Sequence, residues 1–336
     1  MHYIYHEKQI VRWGGMLFLF LSLISEASNN NFDTCIFKKS ASAAQQMTLQ
    51  NLNKICNDKF YVEKGELPAL EKRFNSERKM AYEPFVITPH KMNYFLPITY
   101  SDNLNSAAYD DYRNWSQHFN DTEAKLQISF KVPLLTNDLF HEGDAIAFGF
   151  TLQSWWQVYT KELSRPFRET NYNPELFYFT PLGLEISGGK TGLFLGIEHQ
   201  SNGQSQQLSR SWNRIYTNFI FAKGNYALSF RPWWKIPEGD KLTTPEETGN
   251  DNPDISKFMG NFELMMVYKW GNYEFSAKGR ENFTTNNGAI EIGITFPLSG
   301  KLRGYFQYFS GYSESLIDYN HSQERFGIGV ALNDYF

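Results

Sequence analysis

Long hydrophobic runs are nearly absent from this sequence. The chain has 336 residues and a mean hydropathy of −0.49, an average that a helical membrane protein cannot have. One apolar run, residues 16–24, is about half as long as the ~20 residues that a membrane-spanning helix needs. The formal charge of −4 gives no reason to expect a nucleic-acid partner.

That apolar run has the features of an export signal. Lys8 and Arg12 precede it, and Ser25-Glu26-Ala27 follows it as a small-x-small cleavage site. We therefore expect residues 1–27 to be a cleaved signal peptide, with the mature chain passing into the oxidising periplasm.

Cysteine is scarce as well, with two residues in the whole chain. No histidine lies between Cys35 and Cys56, so a metal or catalytic role lacks a partner. An exported pair of this kind usually forms a disulfide, and we expect one here. Residues 28–83 then form a short periplasmic N-terminal extension that carries the disulfide.

Aromatic residues, by contrast, make up 17% of the chain, and alternating strands follow one another from about residue 90. Glycine-containing turns such as Lys223-Gly224-Asn225 separate them. The predicted strands number twelve, an even count typical of bacterial barrels: 90–100, 124–134, 145–159, 174–182, 191–201, 211–222, 225–235, 259–269, 272–281, 287–298, 301–312 and 325–336. This pattern predicts an all-β fold, a twelve-stranded antiparallel transmembrane β-barrel over residues 84–336. Aromatic pairs near strand ends, such as Trp155-Trp156 and Trp233-Trp234, are interpreted as membrane-interface girdles.

Two polar residues end the apolar face of one predicted strand. Leu193, Leu195 and Ile197 share their parity with His199 and Ser201, and side chains two residues apart on a strand share a face. On the next strand Asn213 lies on the same parity as Ile215. If this face meets lipid, three polar groups stand on the outside of the barrel, where they are costly without a purpose.

The purpose that these residue types suggest is a catalytic triad. Ser201 would be the nucleophile, His199 the proton acceptor, and Asn213 the group that orients the imidazole. Phospholipid acyl esters are the substrates that reach such a site. The pair His-x-Ser by itself is a weak signal, and its weight comes from the barrel context.

Two other interpretations stay open on the residues alone. A catalytically silent barrel, acting as a channel or structural protein, is supported by the charged lumen parity of Glu198, Arg214, Lys278 and Glu291. A soluble serine esterase is disfavoured because Ser201 lies outside any Gly-x-Ser-x-Gly motif.

Several longer motifs carry a family resemblance. They are His-Gln-Ser-Asn-Gly at 199–203, Ser-Arg-Ser-Trp-Asn-Arg at 209–214, Ser-Trp-Trp-Gln at 154–157, Pro-Phe-Arg-Glu-Thr-Asn-Tyr at 166–172, Asp-Asn-Pro-Asp-Ile at 251–255, Ser-Ala-Lys-Gly at 276–279, Ser-Gly-Tyr at 310–312 and Glu-Ser-Leu-Ile-Asp-Tyr-Asn at 314–320. Through them the chain resembles the outer membrane phospholipase A family, from about residue 94 to residue 336.

The resemblance implies a calcium-dependent enzyme of the Gram-negative outer membrane, active as a homodimer. It would hydrolyse acyl esters of phospholipids and lysophospholipids with His199, Ser201 and Asn213 as triad. The Gly203 backbone N–H would bind the oxyanion. The resemblance further implies that Ca²⁺ is held by the Ser209 hydroxyl, the Gln204 carbonyl and the Ser164 carbonyl of the second subunit.

Two positions depart from the family pattern. The family can carry an acidic residue, associated with calcium binding by the monomer, where this chain has Gln206. It can also carry an interface glutamine where this chain has Leu152, with Gln153 beside it. We therefore expect weaker monomer calcium binding and a rearranged dimer contact, with the triad unaffected.

Overall fold

The structure is a computed structural model, and it describes Arg73 and residues 87–109, 116–136, 138–162, 167–239 and 249–335. All of these residues belong to one compact unit, Pro68–Phe336. The predicted signal peptide, the predicted Cys35–Cys56 disulfide, nearly all of the N-terminal extension and Ser164 lie outside the described residues.

Strands dominate the described part of the chain. They are β1 Thr88–Pro89, β2 Tyr94–Ser101, β3 Thr122–Leu135, β4 Ala145–Trp156, β5 Phe167–Pro181, β6 Lys190–Ser201, β7 Ser211–Lys223, β8 Tyr226–Lys235, β9 Phe262–Trp270, β10 Tyr273–Asn282, β11 Asn287–Ser299, β12 Leu302–Tyr312 and β13 Ser322–Ala331. The helical turns are short: Ala107–Tyr109, Ser116–His118, Gln206–Leu208 and Ser256–Met259. No helix in the described ranges is long and apolar enough to cross a membrane.

Strands β2 to β13 form a closed ring. Each pairs antiparallel with the next along the chain, and β13 pairs with β2, which leaves no free edge among the twelve. The short β1 adds to β3 at Thr88 and Pro89. The predicted twelve-stranded antiparallel barrel is confirmed.

Side chains alternate between the two surfaces of the wall. On β6, Leu195 and Ile197 are 42% and 53% exposed on the outside, while Glu198, between Ile197 and His199, is 4% exposed and faces the lumen. This is the apolar-out, polar-in pattern of a barrel in a bilayer.

Polar side chains line the lumen as paired groups. Arg214 lies 2.6 Å from Glu198, and Lys278 lies 3.0 Å from Glu291, so the charges that favoured a channel neutralise one another. An aromatic cluster that includes Trp212, buried on β7, packs in the lumen beneath the outer face of β7.

Two predicted boundaries differ most from the structure. Strand β5 starts at Phe167 rather than at 174, because Arg168, Glu169 and Asn171 are buried on its lumen side although their polarity is typical of a loop. Strand β13 ends at Ala331. The Leu332 N–H still donates to the Asn93 carbonyl at 2.8 Å, but the Asn93 N–H donates to the Asn333 side chain at 2.8 Å instead of to the backbone.

The Trp pairs do not lie entirely at the membrane interface, as the girdle interpretation requires. Trp155 and Trp233 are buried, whereas Trp234 is exposed on the outer wall. Neighbours on a strand face opposite sides, so a pair of this kind supplies one residue to each surface.

The two ends of the barrel differ in their connections. At one end the strands are joined by short turns, among them 224–225, 271–272 and 300–301. The other end carries the long segments 102–121, 202–210, 236–261 and 313–321. Outer-membrane barrels have short periplasmic turns and longer extracellular loops, which places the second end outside the cell.

Candidate active site

The predicted site residues meet where β6 and β7 reach the extracellular end. Register pairs His199 with Asn213 and Ser201 with Ser211 across the two strands. His199 Nδ1 lies 2.9 Å from Asn213 Oδ1. The structure therefore brings the proposed base and its orienting group together on the outer wall.

Ser201 occupies the last position of β6, half-buried on the same face. Its neighbour across the β5–β6 pair is Tyr172, which is also on the outer wall. Within the described residues, its hydroxyl makes no hydrogen bond to the imidazole. Catalytic hydrogen bonds of this kind are often long without substrate and tighten in the substrate complex.

A buried amide holds the loop that follows Ser201. Asn202 Nδ2 donates to the Leu208 carbonyl at 2.8 Å, and Asn202 Oδ1 accepts from the Arg210 N–H at 2.9 Å. These bonds close the 202–210 loop onto the strand end. Sequence reasoning missed this role, although an Asn between strand and loop is typical turn chemistry.

The predicted oxyanion residue begins that loop. Gly203 has φ of +64°, and a Cβ there would lie 3.2 Å from Tyr172 Cε2. Both features favour glycine at this position. The structure thus places Gly203 two residues after Ser201, at the turn where the chain leaves β6.

Side-chain oxygen atoms gather beside the site at the base of the loop. The Ser209 hydroxyl donates to Asp251 Oδ2 at 2.7 Å, and the Ser211 hydroxyl donates to the same oxygen at 3.3 Å. Gln204 and Gln206 are exposed in the same loop, the latter with φ of +57°. The family resemblance implied roles for Ser209 and Gln204 but none for Asp251, which is about 40 residues away in the chain.

No cluster of three or more His, Cys, Asp or Glu side chains that could hold a metal ion occurs in the ranges that the structure describes. The donor set near Ser209 is instead a hydroxyl, a carboxylate and loop carbonyls. Such oxygen ligands suit a hard cation, so the residues present fit a calcium ion.

A second carboxylate approaches the site from the β8–β9 connection. Glu238 Oε1 accepts a hydrogen bond from Asn213 Nδ2 at 2.6 Å. No sequence motif marks this residue, because the contact depends on how the connection returns to the wall.

Ion pairs neutralise the charged side chains on the lumen side of the site. Glu198, one residue before His199, is bound by Arg214 at 2.6 Å and by Arg231 at 2.9 Å. Asn173 Nδ2 donates to the His199 carbonyl at 2.9 Å and ties the strand to β5. The backbone that carries the imidazole is thereby fixed from the inside.

Leu152 and Gln153, where the chain departs from the family pattern, face opposite sides of the wall. Leu152 pairs with Ile128 and Tyr172, whose side chains are exposed on the outer wall. Gln153 instead donates to Gln127 Oε1 at 2.8 Å in the lumen. Gln153 therefore does not replace an outward glutamine on this face.

Fold and site together define a transmembrane β-barrel with a Ser–His–Asn set on its outer wall. The sequence matches the family model of phospholipase A1 over residues 70–332. Phospholipase A1 of Salmonella typhimurium is 39% identical over 254 residues, which cover 75% of this chain and 83% of the relative. Phospholipase A1 of Escherichia coli is 38% identical over the same shares of the two chains.

Solved structures agree with the sequence comparison. The outer membrane phospholipase A of E. coli superposes with a TM-score of 0.70 at 38% identity, covering 76% of this chain and 96% of that one. A variant of it with an active-site asparagine replaced by alanine gives 0.71 at 36% identity, covering 78% and 98%. The Salmonella typhi protein, a dimer with bound calcium, gives 0.70 at 38% identity, covering 77% and 97%.

The chain therefore belongs to the phospholipase A1 family and is an outer-membrane β-barrel enzyme of that family. The resemblance expected from the sequence motifs is confirmed.

Proposed function

We propose that this phospholipase cleaves acyl esters of phospholipids and lysophospholipids with Ser201 as nucleophile, His199 as base and Asn213 as the orienting group. The observation that carries the proposal is the 2.9 Å contact between His199 and Asn213 on the outer wall, with Ser201 on the same face. The active-site asparagine of the E. coli relative supports the third role.

The reaction needs two proton transfers in each half. Ser201 Oγ attacks the acyl carbonyl while His199 Nε2 takes the hydroxyl proton, and a tetrahedral oxyanion forms near the Gly203 N–H. His199 then gives that proton to the departing alcohol oxygen, which leaves an acyl-serine. Water, deprotonated by the same imidazole, releases the fatty acid and restores Ser201.

The position of the site fits a lipid substrate. Leu195, Ile197 and Ile215 form an exposed apolar surface that leads down from the triad along the outer wall. An acyl chain lying on this surface would bring its ester to the extracellular rim, where Ser201 lies.

Calcium is proposed as the cofactor. The Ser209 hydroxyl, the Gln204 carbonyl and the Asp251 carboxylate are the described groups that would hold it, and the bond between Ser209 and Asp251 shows that two of them converge. When bound, the ion would supply positive charge for the developing oxyanion. The calcium-bound relative from Salmonella typhi supports this assignment.

A homodimer is proposed as the active form. The Salmonella typhi relative is a dimer, and Ser164, which lies outside the described residues, would complete the calcium shell from the second subunit. Membrane phospholipids reach the outer-wall site only where they enter the outer leaflet. Damage that brings them there would therefore switch the enzyme on, and activity per chain should rise with the fraction of dimer.

The test of the triad is Ser201→Ala. Hydrolysis of a long-chain phospholipid in detergent should fall at least about a thousandfold, because a missing nucleophile removes the acyl-serine route. Ser205→Ala, an exposed hydroxyl in the same loop, serves as the matched control and should keep full activity. Retained activity in folded Ser201→Ala would contradict the assignment.

Calcium is tested by titration followed by EDTA. Activity should appear with calcium and vanish with the chelator, and Asp251→Asn should raise the calcium concentration needed for half-maximal rate about tenfold, since a charged ligand is lost. Glu185→Gln, exposed at the opposite end of the barrel, should leave that concentration unchanged. Full activity in EDTA would overturn the cofactor assignment.

The N-terminal predictions stay predictions: a signal peptide over residues 1–27 and an extension over 28–83 with Cys35 bridged to Cys56. The mass of the mature protein and its reaction with a thiol reagent, before and after reduction, check both.

A further inference from the structure

The β8–β9 connection places a carboxylate directly behind the third member of the triad. Glu238 Oε1 lies 2.6 Å from Asn213 Nδ2, and Glu238 is half-buried there. Asn213 Oδ1, on the other branch of the same amide, lies 2.9 Å from His199 Nδ1. The amide therefore bridges a carboxylate and an imidazole.

Backbone hydrogen bonds fix Glu238 at this position. The Ile236 N–H donates to the Asn213 carbonyl at 2.8 Å and continues the β7–β8 pairing beyond Lys235. The Asn250 N–H donates to the Gly239 carbonyl at 2.8 Å and closes the connection on the other side. Glu238 lies between these two anchors, so its approach to Asn213 follows from the course of the main chain.

The chemistry of Glu238, Asn213 and His199 determines which group donates and which accepts in each hydrogen bond. An ionised carboxylate only accepts, so Asn213 must turn its NH₂ group toward Glu238 and its carbonyl oxygen toward His199. That oxygen also only accepts, so His199 Nδ1 must carry the proton. Nε2 is then the unprotonated nitrogen, which is the form a general base needs beside Ser201.

Charge gives Glu238 a second role. An amide cannot neutralise the imidazolium that forms when Ser201 gives up its proton, whereas a carboxylate can. The Glu238 carboxylate does not touch His199, but it polarises the Asn213 amide between them and so stabilises the His199 imidazolium. A hydrogen bond to an ionised acceptor is also stronger than one to a neutral acceptor.

We propose that Glu238 is a positioning residue for the known reaction, which acts through Asn213 to fix the amide orientation and the tautomer of His199 and to stabilise the imidazolium. The inference rests on the proposed triad. It extends the triad to an ordered set of four: Ser201, His199, Asn213 and Glu238.

The first test compares Glu238→Ala, Glu238→Gln and the wild type in detergent at saturating calcium. Alanine removes the acceptor, and kcat should fall about 10- to 100-fold. Glutamine keeps an acceptor oxygen but removes the charge, and kcat should fall about tenfold. KM should stay within about twofold for both, since neither group touches the lipid. Glu185→Gln is the control carboxylate and should behave as the wild type.

The second test repeats Glu238→Gln in an Asn213→Asp background. The aspartate accepts from His199 directly and lies against the Glu238 carboxylate, where like charges repel. Removing the Glu238 charge should then raise kcat or leave it unchanged, whereas it lowers kcat in the wild type. A merely structural Glu238 would lower kcat equally in both backgrounds.

Two results would overturn the proposal: kcat of Glu238→Ala within twofold of the wild type, or an equal loss from Glu238→Gln in both backgrounds. Each variant is first shown to be folded by its heat-sensitive migration on a gel, and Glu238→Gln decides if the alanine variant does not fold. Ser201→Ala distinguishes a failure of the proposed triad from a failure of the proposed role of Glu238. If it abolishes activity while Glu238 variants do not affect kcat, the triad stands and only the role of Glu238 fails.

Discussion

At the residue scale, the site depends on amide side chains that link charged and uncharged groups. Asn213 joins Glu238 to His199, and Asn202 joins the two ends of the loop that carries Gly203. Each amide donates on one side and accepts on the other, which a carboxylate cannot do. Asn213 therefore fixes the orientation of the His199 imidazole, and Asn202 fixes the shape of the loop after β6.

Asn202→Ala should reduce activity without unfolding the barrel. It leaves the Leu208 carbonyl and the Arg210 N–H without their side-chain partner, each bond being worth about 1 kcal/mol, and it releases the turn at Gly203. We expect kcat/KM to fall about tenfold to a hundredfold, since a displacement of about 1 Å near the chemistry has that effect.

Phospholipid hydrolysis and urea unfolding of the same preparation check this prediction. Gln207→Ala, an exposed position in the same loop, is the control. Unchanged kcat/KM in Asn202→Ala would show that the loop keeps its shape without the amide.

At the element scale, the periplasmic turns hold adjacent strands in register. In the β3–β4 turn one carboxylate, Asp144, accepts from the backbone N–H groups of Leu139, Phe140 and His141 at 2.6, 2.8 and 2.9 Å. The Tyr178 hydroxyl on β5 donates to it at 2.8 Å. One side chain thus ties the turn to the neighbouring strand.

The pKa of Asp144 predicts acid sensitivity of this turn. Desolvation raises the pKa of the carboxyl, but the backbone hydrogen bonds from His141 and Phe140, with that of Tyr178, lower it to about 2. A lowered folded-state pKa stabilises the fold above the ordinary pKa of about 4, and this contribution is lost as pH falls from about 4 to about 2.

Asp144→Asn should therefore lower the urea midpoint at pH 7 and flatten its decline between pH 4 and pH 2. Glu142→Gln, exposed in the same turn, should leave both unchanged. The prediction fails if the wild type and Asp144→Asn lose stability in parallel over that pH range.

At the scale of the whole molecule, the lumen is closed by a buried ionic network and by an inward-folded loop. Arg168 on β5 binds Glu123 on β3 at 3.0 Å and Asp318 in the β12–β13 loop at 3.1 Å. In the same loop, residues 313–319 are all buried, and Glu314 binds Lys125 at 2.8 Å. These pairs join β3, β5 and the β12–β13 loop across the extracellular end of the lumen.

Arg168→Ala should destabilise the barrel by about 3–5 kcal/mol, because it leaves the fully buried Asp318 carboxylate without its cation and removes one of the two arginines, Arg168 and Arg325, that bind Glu123. Urea unfolding of the protein in lipid vesicles measures the loss of unfolding free energy. Lys301→Ala, exposed in the β11–β12 turn, should change the unfolding free energy by less than about 0.5 kcal/mol. A loss below about 1 kcal/mol for Arg168→Ala would mean that the network does not hold the ring together.

The sequence by itself determined the barrel and the face on which the chemistry lies. A strand repeats every two residues, so the apolar parity of Leu195 and Ile197 fixed the outer face and placed His199 and Ser201 on it. Strands β6 and β7 follow one another along the chain and pair antiparallel across the 202–210 loop, which brought Asn213 opposite His199. These are local relations, and a local pattern is enough to predict them.

Only the tertiary structure decided which distant groups complete the site and fill the lumen. Glu238 and Asp251 reach Asn213 and Ser209 because the long β8–β9 connection returns to the rim, and no periodicity encodes that return. Arg168 and Asp318 are 150 residues apart in the chain and meet because the ring closes. The strand period determines the side of the wall that a residue faces, but its partner there depends on ring closure and on loops that pack by their own contacts.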